Sequence, residues 1–201
     1  MKPKTNGRGK PRPIPEVLTP EEQARLLREL EPTDSPGKLR NLAIIRLMLN
    51  TGLRAVEVRD LRHRNIDWRS GRMKLRGKGG KDRVLWLAEG DLALLKDWID
   101  QRSSSKLHSS SNLVFTSLDG KKPLCGRWLR KMVKRVAENA GLDKVHPHTL
   151  RHTFATNLLR QEKNLRLVQR ALGHSNIATT TIYTHICDEE LELAMKRLGG
   201  E

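Results

Sequence analysis

Aromatic residues make up only 3% of this chain, so Leu, Ile, Val and Met must fill its interior. Cysteine is nearly absent: Cys125 and Cys187 are the only two. They form no metal-binding spacing and no disulfide framework, and they read as reduced thiols of a cytosolic protein. No apolar run approaches the roughly 20 residues that span a bilayer, and the N-terminus lacks the apolar core of a signal peptide. Acidic residues are scarce, with 23 Asp and Glu against 39 Lys and Arg, a formal net charge of +16. Such an excess raises the local concentration of phosphates and speeds encounter with nucleic acid. Ribosomal, chaperone-like and membrane-surface proteins carry similar charge, so the excess selects a polyanionic partner and no particular reaction. Tyrosine occurs once, as Tyr183. A phenolic nucleophile, if the protein uses one, has a single candidate.

The 201 residues suit one domain with a tail. Residues 1–17 are rich in Lys, Arg, Pro and Gly and cannot bury enough apolar surface to order themselves. They read as a basic, disordered arm, which either settles on DNA or is a tail with nonspecific affinity. The folded part, residues 18–201, begins at Thr19-Pro20-Glu21-Glu22, a capping box with proline at the first helical position. A second helix is expected over Lys38 to Asn50, apolar on most sides, with Gly52 ending it in a left-handed turn. Arg54 follows, at the start of a short helix over Ala55 to Leu61, and Glu57 lies three residues on, within reach of its guanidinium.

Between Asn65 and Ala88 the period changes. Ile66-Asp67-Trp68, Arg72-Met73-Lys74-Leu75 and Val84-Leu85-Trp86-Leu87 predict three short antiparallel strands, with Ser70-Gly71 and Gly77-Lys78-Gly79-Gly80-Lys81 in the turns. Arg76, Lys81 and Arg83 belong to the basic face of this sheet, which suits a phosphate. A helix is expected over Asp91 to Gln101, then a Ser-rich connector from Ser103 to Ser111. Leu124 to Ala140 predicts an amphipathic helix with Leu129, Met132, Val133 and Val136 inward. Its other face carries Arg127, Arg130, Lys131, Lys134 and Arg135, which favours DNA contact over a merely solvated face. His148 and Arg151 lie three apart near the start of a helix opening at Pro147, so they project to one side. Asn164 caps a further helix ended by Gly173. His174 follows, and Tyr183 comes nine residues later. Leu191, Ala194, Met195 and Leu198 then sit at helical spacing in a C-terminal segment over Asp188 to Leu198. Together Arg54, Lys78, His148, Arg151, His174 and Tyr183 supply a nucleophile, fixed positive charges, a proton donor and two imidazoles, a set suited to attack on a phosphodiester without a metal. His146, His148 and His152 have no partnered carboxylate or cysteine, and their basic surroundings oppose a divalent cation, so no metal is expected.

From about residue 18 to its end, the chain resembles the catalytic domain of a tyrosine recombinase, the family of phage integrases and Xer-type resolvases. Thr51-Gly52-Leu53-Arg54 resembles the first-arginine box, Gly77-Lys78-Gly79 the hairpin lysine, and His148-Thr149-Leu150-Arg151-His152-Thr153-Phe154-Ala155-Thr156 the His-x-x-Arg box. Leu172-Gly173-His174 followed by Tyr183 resembles the terminal box. The resemblance implies a mainly helical α+β fold with a small three-stranded antiparallel sheet edging a basic concave face. It implies a site-specific recombinase of double-stranded DNA that works through a 3′-phosphotyrosyl intermediate, without cofactor, metal or ATP. By the same resemblance Tyr183 is the nucleophile, His148 its proton acceptor, Arg54 and Arg151 the phosphate clamp, Lys78 the proton donor to the leaving 5′-oxygen, and His174 a hydrogen-bond donor. Glu57 positions Arg54.

Most such recombinases carry a helical domain ahead of the catalytic one, where this chain has only the basic arm. It is therefore similar to compact fimbrial-switch invertases, or it is part of a longer integrase. The resemblance also implies a homo-oligomer, a tetramer on DNA in the cytoplasm, with the C-terminal helix packed on a neighbouring protomer; docking on its own domain is the equal alternative. Thr179-Thr180-Thr181, poor helix formers before the nucleophile, suggest a segment that assembly repositions. A type IB topoisomerase-like nicking-closing enzyme and a non-catalytic DNA-binding regulator remain the rival readings.

Overall fold

Helix boundaries follow from the capping chemistry. In a computed structural model that describes residues 15–76, 82–104, 111–118, 122–173, 183 and 195–197, helix α1 spans Pro20–Arg28. The Thr19 hydroxyl accepts from the Glu22 backbone N–H at 3.2 Å, and the Glu22 carboxylate accepts from the Thr19 N–H at 2.9 Å, closing the box. Helix α2, Pro36–Thr51, is capped by Ser35 and ends on Gly52 with φ +63°. Helices α3, Ala55–Arg59, and α4, Glu89–Ser104, flank a hairpin of strands β1, Arg72–Leu75, and β2, Arg83–Trp86. Three helices complete the order: α5, Gly126–Asn139; α6, Pro147–Glu162; and α7, Leu165–Leu172. The Asn164 side chain accepts from Leu167 N–H at 3.1 Å to start α7, and Gly173, φ +64°, ends it.

Helix α2 is buried along most of its length and packs against α4 and α6. This accounts for its apolar residues on nearly every side. Aliphatic side chains dominate the core, and Trp98 and Phe115 are the large aromatics fully enclosed in it. Helix α5 turns Leu129, Met132, Val133 and Val136 inward, as its sequence requires. A second, smaller apolar cluster lies between α6 and α7, formed by Ala155, Leu159, Val168, Leu172 and Tyr183.

The sheet has two strands, not three. Ile66 makes an isolated antiparallel bridge with Met73, and the ladder stops there. Asp67 is the reason. Its carboxylate accepts from the Arg69 and Ser70 backbone N–H groups and from the Ser70 hydroxyl at 2.9, 3.3 and 2.6 Å, folding the chain into a turn where a third strand would run. The basic arm's first 14 residues, most of the Ser-rich connector and, apart from Met195–Arg197, the expected C-terminal helix lie outside the described residues.

Gly52 occupies a left-handed turn where α2 meets the other two helices of the site. A Cβ there would collide with the Phe154 ring of α6 and approach Leu172 Cδ2 of α7 to 3.1 Å. Gly52→Ala should therefore cost about 2–4 kcal/mol, from left-handed strain plus overpacking. Chemical denaturation should show the loss as a lower midpoint with an unchanged slope.

Candidate active site

Arg54 leaves the Gly52 turn as the residue capping α3. Its backbone N–H donates to Glu57 Oε2 at 2.7 Å, and its Nη1 reaches Glu57 Oε1 at 3.4 Å. The Arg54 side chain is 40% exposed, so the guanidinium is held at its base and open at its tip. Glu57 is also gripped from below: Arg83 Nη1 donates to Oε1 at 2.6 Å and Nη2 to Oε2 at 2.9 Å. Burial opposes ionisation of Glu57, but the hydrogen bonds and charge of Arg83, with those of Arg54, hold the carboxyl below its ordinary range.

Arg151, in the second turn of α6, is buried and donates to two backbone carbonyls. Nη1 bonds to Gly52 O and Nη2 to Leu172 O, the latter at 2.7 Å. These acceptors lie at the C-terminal ends of α2 and α7, where the helix dipole is negative. Burial, then the charge of Arg54, brings the Arg151 pKa down to about 10, with Glu57 acting in the opposite direction. It remains a cation at neutral pH. His148 stands exposed one turn earlier on the same helix. Burial, then the charges of His146, Arg151, Arg54 and Arg130, push its pKa below the usual imidazole value, which keeps the ring neutral and able to take a proton. Arg54, Glu57, His148 and Arg151 thus share one electrostatic neighbourhood. Lys78 and His174 lie outside the described residues, but the elements leading to them converge here. Lys78 falls between β1 and β2 in the sequence, and Gly173, just before His174, packs against Arg83 at the start of β2.

Tyr183 is 1% exposed, in the cluster between α6 and α7. Its hydroxyl lies 2.6 Å from His152 Nδ1. Burial pushes the phenol up to about 12, with the charge of Arg151 acting against the shift. Burial, and after it the charges of His148 and Arg151, depress His152 to about 4, so its ring is neutral and Nδ1 can accept the phenolic proton in a hydrogen bond. The phenol is bonded to His152 and not to His148, the acceptor that the resemblance assigned. Sequence reasoning weighed His152 only as a metal ligand. The overlooked signal is helical spacing: His152, Ala155 and Leu159 share one face of α6, and that face lines the tyrosine pocket.

Arg76, Arg127, Arg130, Lys131 and Lys134 are all exposed. Lys134 also pairs with Glu138 at 3.3 Å. Lys81 falls outside the described residues. Arg83 corrects the expectation: its side chain is 7% exposed and bound to Glu57, so it is internal and does not belong to the solvent-facing cations. The alternation along β2, buried at Arg83 and Leu85, turns it inward.

A sequence profile of the phage integrase family matches residues 16–190. The chain belongs to the phage integrase family. It is 41% identical over 177 residues to the tyrosine recombinase XerC of Xanthomonas campestris pv. campestris (strain B100), a match that covers 88% of this chain and 53% of that protein. The crystal structure of XerA recombinase superposes with a TM-score of 0.79 at 30% identity, over 95% of this chain and 68% of that one. The structure of XerH site-specific recombinase bound to palindromic difH substrate, a post-cleavage complex, gives 0.78 at 32% identity, over 91% of this chain and 53% of that one. The chain thus spans little more than half the length of XerC.

Because tyrosine occurs once, ¹³Cζ-tyrosine labelling yields a single NMR line that reports the buried phenol. The folded Tyr183 pKa lies above its ordinary 10, so the phenol's contribution is intact below pH 10 and lost as pH rises through about 12. The folded His152 pKa lies below its ordinary 6.5, so the contact is intact above that pH and lost as pH falls through about 4. The line should hold constant between these windows. Ionisation near pH 10 would instead mark a solvated phenol.

Proposed function

We propose that this chain is a site-specific DNA recombinase that cleaves and rejoins double-stranded DNA through a 3′-phosphotyrosyl intermediate. The observation that carries the reading is the double contact of Arg151. One cationic side chain bonds to the carbonyls of Gly52, two residues before Arg54, and of Leu172, two before His174, and both arginines act electrostatically on His148, which supports reading these groups as one site. Family membership and the DNA-bound XerH neighbour support DNA as the partner.

In this mechanism Arg54 and Arg151 hold the non-bridging oxygens of the scissile phosphate. One guanidinium at ~4 Å from a phosphate charge is worth roughly 4 kcal/mol at an effective dielectric of 20, and the clamp is tightest on the pentavalent transition state. His148 takes the proton of Tyr183 as its oxygen attacks phosphorus. Lys78 protonates the departing 5′-oxygen, and His174 donates a hydrogen bond to the phosphate. The covalent link conserves the phosphodiester free energy, so rejoining needs no ATP, and fixed guanidinium charge does the work otherwise given to metal ions. The exposed cations of α5 and Arg76, with Lys81, grip the DNA backbone.

Tyr183 must leave its pocket before it can attack. We assign that release to assembly on DNA, as a tetramer joined through the C-terminal segments, in the cytoplasm on nucleoid DNA. Residues 18–201 act as the catalytic domain, with the basic arm of residues 1–17 ahead of it.

A pooled library of nicked duplexes, whose cleaved fragment diffuses away, tests the reading directly. The wild-type chain should form a covalent DNA adduct that Tyr183→Phe abolishes. Arg54→Ala should slow adduct formation about 10²–10³-fold, the usual loss for one transition-state charge contact. Retained DNA binding without any adduct would point to a binding module. Relaxation of supercoils by a monomer, without recombinant products, would point to a nicking-closing enzyme.

A further inference from the structure

Resting on that reading of the site, we propose that Arg83 is a positioning residue that leaves the charge of Arg54 uncompensated and its guanidinium aimed at the phosphate by taking up the charge of Glu57. Both carboxylate oxygens of Glu57 are shared. Oε1 accepts from Arg83 Nη1 at 2.6 Å and from Arg54 Nη1 at 3.4 Å; Oε2 accepts from Arg83 Nη2 at 2.9 Å and from the Arg54 backbone N–H at 2.7 Å. The short, two-pronged contact therefore belongs to Arg83, and the long one to the Arg54 guanidinium.

This division has an electrostatic consequence. A carboxylate paired with Arg54 alone would cancel the charge that has to meet the phosphate. Arg83, at 7% exposure, and Glu57, at 14%, instead form an inward ion pair whose fork fixes the carboxylate plane. Glu57 can then hold Arg54 through its backbone N–H without neutralising its guanidinium, which stays 40% exposed. Burying one fork against one carboxylate gains little stability, because the desolvation cost offsets the attraction. What the pair supplies is a fixed geometry beneath the exposed guanidinium of Arg54.

Arg83 is also placed to coordinate the site's parts. It begins β2, five residues after Lys78 in the chain, and a Cβ on Gly173 would come within 2.9 Å of its Cδ. The side chain thus touches both the helix that follows Arg54 and the turn at Gly173.

Single-turnover cleavage of a nicked duplex taken from the pooled library separates positioning from DNA contact and from simple structural support. Arg83→Met should slow adduct formation about 10–100-fold while changing the DNA dissociation constant less than about 2-fold. Adding Glu57→Gln to Arg83→Met removes the uncompensated carboxylate and should restore cleavage at least about 3-fold over Arg83→Met. It also spares the double variant a buried unpaired charge, so it folds even if the single variant does not. If only the double variant folds, cleavage by it within about 10-fold of wild type carries the proposal, and slower cleavage overturns it. With both folded, wild-type cleavage by Arg83→Met, a loss confined to DNA binding, or a double variant no faster than Arg83→Met each overturns it. The wild-type adduct and its loss in Tyr183→Phe are read in the same assay, so failure of the functional reading is seen separately, as absence of any adduct.

Discussion

A buried guanidinium needs hydrogen-bond acceptors, and the identity of those acceptors governs what it can still do. Arg151 bonds to the main-chain carbonyls of Gly52 and Leu172. Each Nη donates to one of them, and as the negative ends of two helices they favour its charge. Unlike a carboxylate, they do not cancel that charge. The cation is therefore anchored in the core and still exerts a field on the site. The same two bonds draw the ends of α2 and α7 towards one helix, α6, which brings Arg54 and Gly173 into one neighbourhood. Gly52 suits this arrangement because a side chain there would push Phe154 and Leu172 away.

Arg54 is secured on a different principle. Its turn is held by Glu57, and Glu57 is held by Arg83, so the carboxylate serves as a joint between an exposed guanidinium and a buried one. The two site arginines are thus held in different ways, Arg151 by bonds that include two backbone carbonyls and Arg54 by a carboxylate it shares with Arg83. Both solutions leave net positive charge where a phosphodiester would be bound.

The nucleophile candidate is treated in the opposite manner. Tyr183 sits in an apolar pocket with a neutral imidazole on its hydroxyl, an environment that favours the protonated phenol over the phenolate. Low dielectric here suppresses reactivity, whereas the charged neighbourhood around Arg54, Arg151 and His148 would enhance it. As it stands, the phenol is held by His152 in an apolar cluster, and the cations of Arg54 and Arg151 lie outside that cluster.

Much of the fold was legible because helix ends are written in local chemistry. The Thr19 box, the Asn164 cap and the Gly52 and Gly173 stops each depend on residues within four positions of one another. The third strand failed for a local reason as well, since Asp67 offers its backbone neighbours a turn that competes with pairing. Candidate site residues were equally readable as types and spacings: Arg54 with Glu57, His148 with Arg151, and the solitary Tyr183. Partnerships between distant segments were not. Arg83 and Glu57 are 26 positions apart, and His152 and Tyr183 are 31 apart. By itself the sequence determined which groups are available and where helices begin and end, because those depend on neighbours along the chain. Only the tertiary structure decided which cation turns inward, which carbonyls hold Arg151 and which histidine meets the tyrosine, because burial and long-range hydrogen bonding depend on how the helices pack.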